Sequence, residues 1–74
     1  MKDCTTMKAL EKRLHEARTK HPAWNGSLDF ALSVLKLEQG ELEHAMNWES
    51  EARVRDEALD VAAVALRIYE GDWK

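Results

Sequence analysis

Four acidic residues are the best candidates in this sequence for a functional site. Glu38 and Glu41 form one pair, and Glu57 and Asp60 form a second, with the members of each pair three residues apart. Three residues is nearly one turn of an α-helix, so each pair points to one helical face. If the two helices face each other, the four carboxylates converge. Hard oxygen ligands in such a cluster favour a hard divalent cation, Mg²⁺ first and Mn²⁺ second, with substrate phosphates completing its coordination shell.

The carboxylates lie on apolar stripes, where unpaired charge is costly. Glu38 falls near the middle of the stripe on one predicted helix, and Glu57 falls within the stripe on the next. Burying an unpaired carboxylate costs several kcal/mol. Either a cation or basic partner compensates these groups, or the helices rotate so that the carboxylates lie at the solvated rim. The stripes consist of Ala31, Val34, Leu35, Leu42 and Ala45, and of Val54, Val61, Val64 and Ile68.

The chain length predicts one small domain over residues 1–74. A domain of this size buries only about 60% of its unfolded surface and is marginally stable alone. One cysteine provides neither a disulfide set nor a zinc-finger pattern. We therefore expect stabilisation by a partner subunit.

Charge and hydropathy argue against two classes of partner. The net charge is −3 with 34% charged residues, and no basic face indicates binding to a nucleic acid polymer. The longest apolar run, near residues 61–66, is too short to span a membrane. The N-terminus lacks the apolar core of a signal peptide. A cytoplasmic protein without a membrane partner is the resulting prediction.

Helical periodicity and capping residues predict three helices. The first begins near Thr5 or Thr6 and ends near His21, before Pro22. Asn25 and Gly26 predict a turn. The second helix, capped by Ser27, runs from Leu28 to Met46 or Trp48. The third, capped by Ser50, runs from Glu51 to Tyr69 and stops at Gly71.

The third helix predicts self-association. It is apolar nearly all round, and a helix of this kind must be covered on both sides. The first two helices can cover only one side, that of Val64 and Ile68. The other side, with Leu59, Ala62, Ala63 and Leu66, suits packing against a copy of itself. The predicted fold class is all-α, with a three-helix chain that forms a four-helix-bundle-type core in a homodimer or homotetramer.

Gly40 lies inside the second predicted helix. Glycine there costs up to ~1 kcal/mol relative to alanine. Close approach of another backbone, or of a bulky bound ligand, would explain its presence.

These motifs resemble a known family. Glu38-x-x-Glu41 followed by Glu57-x-x-Asp60 is similar to the signature of the MazG-like all-α nucleoside triphosphate pyrophosphatases, which include the dimeric dUTPases. The Gly40-Glu41-Leu42 core and the Asp60-Val61 step match the family pattern. The resemblance covers about residues 28–70. It is closest to the dCTP pyrophosphatase branch, because Trp48 stands seven positions after Glu41.

The resemblance implies a function and a ligand set. Members of the family hydrolyse a nucleoside triphosphate between the α and β phosphates, giving a monophosphate and pyrophosphate. By this resemblance Glu38, Glu41, Glu57 and Asp60 hold Mg²⁺, and Glu41 takes the proton of the attacking water. The implied role is house-cleaning of the nucleotide pool, on a pyrimidine deoxynucleotide.

Three further residues are candidates for substrate binding. Trp48 either stacks on the nucleobase or caps the end of the core. Trp24 either covers the core between helices or forms one wall of a ligand pocket. Arg67 lies ~20° from Asp60 in helical angle, so it either contacts phosphate or pairs with Asp60 or Glu70.

A second hypothesis comes from a different class. Many members of the family continue with a helix or a basic tail that holds the triphosphate, whereas this sequence ends at Trp73-Lys74. The chain could instead be a small helical interaction module that keeps the fold without turnover, or a self-associating bundle whose acidic stripe binds a basic partner.

Overall fold

A computed structural model of the chain describes residues 4–22, 24 and 26–74. It contains three α-helices: α1 spans Cys4–Lys20, α2 spans Leu28–Trp48 and α3 spans Glu51–Glu70. The described residues include no β-strand. The predicted all-α, three-helix chain is therefore confirmed. None of the described helices combines the length and apolar character needed to cross a membrane.

The helix ends follow from local capping groups. The Ser27 hydroxyl accepts hydrogen bonds from the backbone amides of Asp29 and Phe30, and the Ser50 hydroxyl accepts one from the amide of Arg53. Each serine satisfies amides that have no partner within the helix. Asn25, predicted to begin the turn before α2, lies outside the described residues.

The end of α3 depends on a glycine. Gly71 adopts a left-handed conformation with φ of 84°, and its amide donates to the carbonyls of Arg67 and Ile68. The amide of Asp72 also donates to the Arg67 carbonyl, at 3.0 Å. This reversal turns the last residues back against the helices.

Helix α3 is the central element. Both α1 and α2 pack against it, but within the described chain they do not pack against each other. A cleft therefore remains between α1 and α2, with α3 as its floor.

The apolar core is small. Trp24, Ala31 and Val64 are buried together, and partly buried side chains from α2, α3 and the C-terminal turn pack around them. Ala63 is also buried, with 1% of its surface exposed. The sequence placed Ala63 on the face of α3 that meets a second copy, but the chain itself covers it. Many large apolar side chains stay exposed: Met7, Leu28, Phe30, Leu32, Leu37, Met46, Trp48 and Tyr69.

A buried arginine, Arg67, connects α3 to three other segments of the chain. Arg67 is 2% exposed, and its Nε donates to Asp72 Oδ2 at 2.7 Å. Its Nη2 donates to the His21 carbonyl at 2.6 Å, and its Nη1 lies 3.5 Å from the Ala17 carbonyl. The guanidinium also lies over the Trp24 ring, 4.4 Å from its centroid. Arg67 thus links α3 to the end of α1, to the loop and to the C-terminal turn.

Asp72 neutralises this buried charge. Arg18 of α1 holds the same carboxylate at 2.9 and 3.0 Å, and these hydrogen bonds lower the pKa of Asp72. Replacing Asp72 with asparagine leaves the Arg67 charge buried without its counterion. We predict that Asp72→Asn lowers the free energy of unfolding by about 3 kcal/mol, measured by urea denaturation at pH 7.

The matched control is Glu70→Gln, which removes only the half-exposed pair between Arg18 and Glu70. An exposed pair contributes less than about 1 kcal/mol. If the two substitutions lower the free energy of unfolding equally, Asp72 is an ordinary surface partner.

Candidate metal centre

Three of the four predicted ligands meet in the structure. Glu38 and Glu41 on α2 and Glu57 on α3 each offer a carboxylate oxygen, and these oxygens lie within 4.8 Å of one another. The meeting follows from the sequence, because the three-residue spacing puts Glu38 and Glu41 on one side of α2 and because α2 and α3 are packed neighbours. We call these three residues the carboxylate cluster.

Glu57 is the most buried member of the carboxylate cluster. It is 6% exposed, and its Oε2 accepts a hydrogen bond from Arg53 Nη2 at 2.5 Å. Its Oε1 is buried and has no hydrogen-bond partner among the described residues. A buried polar atom without a partner is costly and rare in folded proteins. A cation at the carboxylate cluster would give this oxygen a partner, and carboxylate oxygens are suitable ligands for Mg²⁺ or Mn²⁺.

Asp60, the fourth predicted ligand, is held by an arginine. Arg13 of α1 places Nη1 2.5 Å from Asp60 Oδ1 and Nη2 2.5 Å from Asp56 Oδ1. Its Nη1 also donates to the Asp56 carbonyl at 3.1 Å. The sequence alone does not reveal the role of Arg13, because this residue lies 43 residues from Asp56 and 47 from Asp60 and no local spacing connects them.

Burial and mutual repulsion disfavour the charged forms of carboxylates in the carboxylate cluster. Burial, together with the negative charges of Glu41, Asp60 and Glu57, raises the pKa of Glu38 to about 7. Burial also raises the pKa of Glu57, against the opposing charge of Arg53. Near neutral pH the metal-free chain therefore holds a proton on Glu38 for part of the time.

Two cavities flank the carboxylate cluster. The cleft between α1 and α2 encloses about 620 Å³, and Glu38 and Asp60 line it. A second, more open cavity of about 520 Å³ is lined by Glu41 and Glu57 together with Arg53. A cation bound at the carboxylate cluster would therefore lie between two spaces that can each admit a ligand.

The predicted substrate-binding residues lie in different environments. Trp24 is 8% exposed and belongs to the core, but it also lines the cleft, so both of its roles stay open. Arg67 lines the cleft too, and it pairs with Asp72 instead of Asp60 or Glu70. Trp48 is 78% exposed at the end of α2 and does not cap the core of the described chain.

Comparisons with protein-family models, curated proteins and solved structures found no significant match to this chain.

The raised pKa of Glu38 makes stability depend on pH. A carboxylate whose pKa is higher in the folded state than its usual value of 4.5 stabilises the fold when protonated, and this stabilisation is lost as the pH rises through about 7. Glutamine stays neutral at every pH. In EDTA, we expect Glu38→Gln to be more stable than the wild type at pH 8 and nearly equal to it at pH 5, by urea denaturation.

The control for this measurement is Glu43→Gln, on the exposed side of α2. This substitution removes the same charge at a position outside the carboxylate cluster, so its effect on the free energy of unfolding should be small at both pH values. A Glu38→Gln variant that is less stable than the wild type at pH 8 would contradict the charge repulsion described above.

Gly40 has open space around it. A methyl group built at this position would have no atom within 4 Å beyond the neighbouring helical backbone, so no close contact within the chain requires glycine. Gly40 also lines the second cavity, between Glu41 and Lys36. Two explanations for a glycine at this position remain: a bound ligand and the backbone of a partner chain.

We predict that Gly40→Ala raises the free energy of unfolding by up to about 1 kcal/mol, because alanine favours the helix. Thermal or urea unfolding measures this effect. If a ligand or partner occupies the space, the more stable variant will bind it less tightly than the wild type. A destabilised Gly40→Ala variant would show that the methyl group meets an obstacle.

Proposed function

We propose that the chain is an Mg²⁺-dependent nucleoside triphosphate pyrophosphohydrolase that cleaves between the α and β phosphates. Its role would be house-cleaning of the nucleotide pool. One observation carries the proposal: the buried, unpartnered Oε1 of Glu57 lies in a cluster with Glu38 and Glu41. The resemblance of both acidic motifs to the MazG-like pyrophosphatases supplies the reaction class.

The residues fit the chemistry that a divalent cation would supply. Glu38, Glu41 and Glu57 would hold the ion, and Asp60 would join them when free of Arg13. The bound ion would neutralise phosphate oxygens and lower the pKa of a bound water. Glu41 is exposed to the second cavity, where its carboxylate can take the proton of the attacking water.

The cleft between α1 and α2 suits an anionic, partly aromatic ligand. Arg13, Lys20 and His21 supply positive or donor groups along it. Trp24 and Phe30 supply aromatic surface in the same cleft, with ring centroids 6.4 Å apart in an edge-to-face arrangement. Phosphates near the basic groups and a base near the rings would use both features.

The two candidate tryptophans mark opposite ends of α2. Trp24 precedes the helix and Trp48 ends it, so about 30 Å of helix separates them. The carboxylate cluster lies near the middle. A nucleotide anchored there by its phosphates extends its base toward one end only, so one chain would use only one tryptophan for stacking.

A second copy of the chain is part of the proposal. The exposed apolar side chains include Leu28, Leu37, Met46 and Trp48, all on α2. Covering them in a homodimer or homotetramer would complete a four-helix-bundle-type core and enlarge the small interior of a single chain.

One observation favours the second candidate, a helical interaction module without turnover. Arg53 already pairs with Glu57, and Arg13 already pairs with Asp60, so both members of the second motif have basic partners without a metal ion. In that case the acidic residues stabilise the bundle and the exposed apolar face binds a partner.

The deciding experiment measures pyrophosphate release from a panel of deoxynucleoside and ribonucleoside triphosphates, with Mg²⁺, with Mn²⁺ and with EDTA. We predict turnover that requires the metal and is reduced about 10- to 100-fold in Glu38→Gln. Because this variant is expected to be at least as stable as the wild type, its loss of activity would reflect loss of a ligand and not unfolding.

Glu43→Gln is the matched control and should retain full turnover. Absence of pyrophosphate release from every nucleotide, by folded protein with Mg²⁺ or Mn²⁺, would contradict the enzymatic proposal and favour the interaction module.

A further inference from the structure

Arg13 connects α1 to acidic residues beside the carboxylate cluster. It comes from α1, whereas all four acidic candidates lie on α2 and α3. Its guanidinium bridges Asp56 and Asp60, with both Nη–Oδ distances at 2.5 Å. The hydrogen bonds to the two aspartates raise the pKa of Arg13 from a value that is already high, so the group stays charged.

Asp60 lies beside the carboxylate cluster although it does not belong to it. It follows Glu57 by three residues on α3, nearly one helical turn, and it lines the cleft together with Glu38. Arg13 engages Asp60 Oδ1, so a metal ion can use both oxygens of this carboxylate only after Arg13 has released it. A guanidinium hydrogen-bonded to that oxygen opposes metal coordination by it.

We infer that Arg13 and the divalent cation compete for Asp60, so that α1 regulates the affinity of the metal site. This inference rests on the metal site of the proposed function and adds a regulatory role for α1. In one state, Arg13 holds Asp60 and the ion has Glu38, Glu41 and Glu57. In the other state, Arg13 has released Asp60, which becomes the fourth ligand.

The arrangement around Arg13 lets it release Asp60 without detaching α1. Its Nη2 is held by Asp56 Oδ1, and its Nη1 donates also to the Asp56 carbonyl. Glu16, one turn further along α1, lies 3.6 Å from Arg13 Nε. The Glu16 contact lies within α1, whereas the two Asp56 contacts hold α1 to α3 and do not involve Asp60. The exchange therefore requires only one hydrogen bond to break and the Asp60 side chain to turn.

The Arg18 contact provides a second link between α1 and the C-terminal turn. Arg18 binds Asp72 and Glu70, and neither belongs to the carboxylate cluster. Arg18→Gln should therefore loosen α1 without freeing Asp60. It is the control that separates a general loosening of α1 from the specific release of Asp60.

The experiment measures Mn²⁺ affinity of the full chain by isothermal titration calorimetry and by electron paramagnetic resonance. The variants are Arg13→Gln, Asp60→Asn, the combination of the two, and Arg18→Gln. We expect Arg13→Gln to bind Mn²⁺ about five- to tenfold more tightly than the wild type, since the competing ion pair is gone. Arg18→Gln should bind like the wild type.

The combined variant separates competition from simple charge repulsion. If Arg13 acts by holding Asp60, its removal brings no gain once Asp60 is asparagine. If Arg13 only repels the cation through space, the gain persists in the Asp60→Asn background and the inference is overturned. Unchanged or weaker Mn²⁺ binding by Arg13→Gln also overturns it.

A second substitution covers the case in which Arg13→Gln does not fold, as judged by circular dichroism. Arg13→Lys keeps the positive charge, but a single ammonium group lacks the planar fork that bridges Asp56 and Asp60. It should give part of the gain in Mn²⁺ affinity, and no gain would contradict the competition.

The outcomes separate this inference from the proposed enzymatic function. Mn²⁺ binding with equal affinity in the wild type and Arg13→Gln overturns the competition but leaves the metal site. Tighter binding by Arg13→Gln without pyrophosphate release supports the competition and contradicts the enzymatic function. Absence of Mn²⁺ binding by every variant contradicts both.

Discussion

Repulsion between carboxylates on the facing sides of α2 and α3 is the constraint on which this structure depends. Glu38, Glu41 and Glu57 offer oxygens within 4.8 Å of one another, and Glu57 is almost completely buried. Like charges at such separations oppose one another strongly away from bulk water. The metal-free chain reduces this repulsion in two ways. Arg53 pairs with one oxygen of Glu57, and Glu38 is partly protonated near neutral pH. The second oxygen of Glu57 stays without a partner among the described residues.

The rest of the fold holds the facing sides of α2 and α3 in place. Helix α3 lies between α1 and α2, and the buried Arg67 ties it to the His21 carbonyl and to Asp72. The apolar core is centred on Trp24, Ala31 and Val64, at the end of the bundle near the loop that precedes α2. The carboxylate cluster lies further along α2. The largest core side chains therefore lie nearer that loop than the carboxylate cluster does, and buried Ala45 lies on the other side of the cluster.

The sequence was informative wherever short-range geometry decides the outcome. Ser27, Ser50 and Gly71 cap helices as predicted, because capping depends on residues within one turn. The observed α2 and α3 end within about a turn of their predicted limits. The meeting of Glu38 with Glu57 was likewise predictable, since it needs only the helical spacing and two neighbouring helices.

The sequence was less informative wherever the placement of a long side chain across helices decides the outcome. Arg13 reaches Asp60 only because of the way α1 lies on α3, which periodicity does not specify. Arg67 pairs with Asp72 instead of Asp60 or Glu70, because the left-handed Gly71 turns the chain back toward it. Ala63 is buried inside the chain, although helical projection placed it on the outer side of α3.

We infer that the carboxylate cluster is a divalent cation site. The most direct measurement is a crystal structure of the chain grown with Mn²⁺, with anomalous diffraction data to locate the metal. The account predicts an anomalous peak among the carboxylates of Glu38, Glu41 and Glu57, with the Glu57 oxygen that lacks a partner directed at it. No peak there, with Arg53 still on Glu57 and that oxygen satisfied by a side chain or an ordered water, would contradict the account.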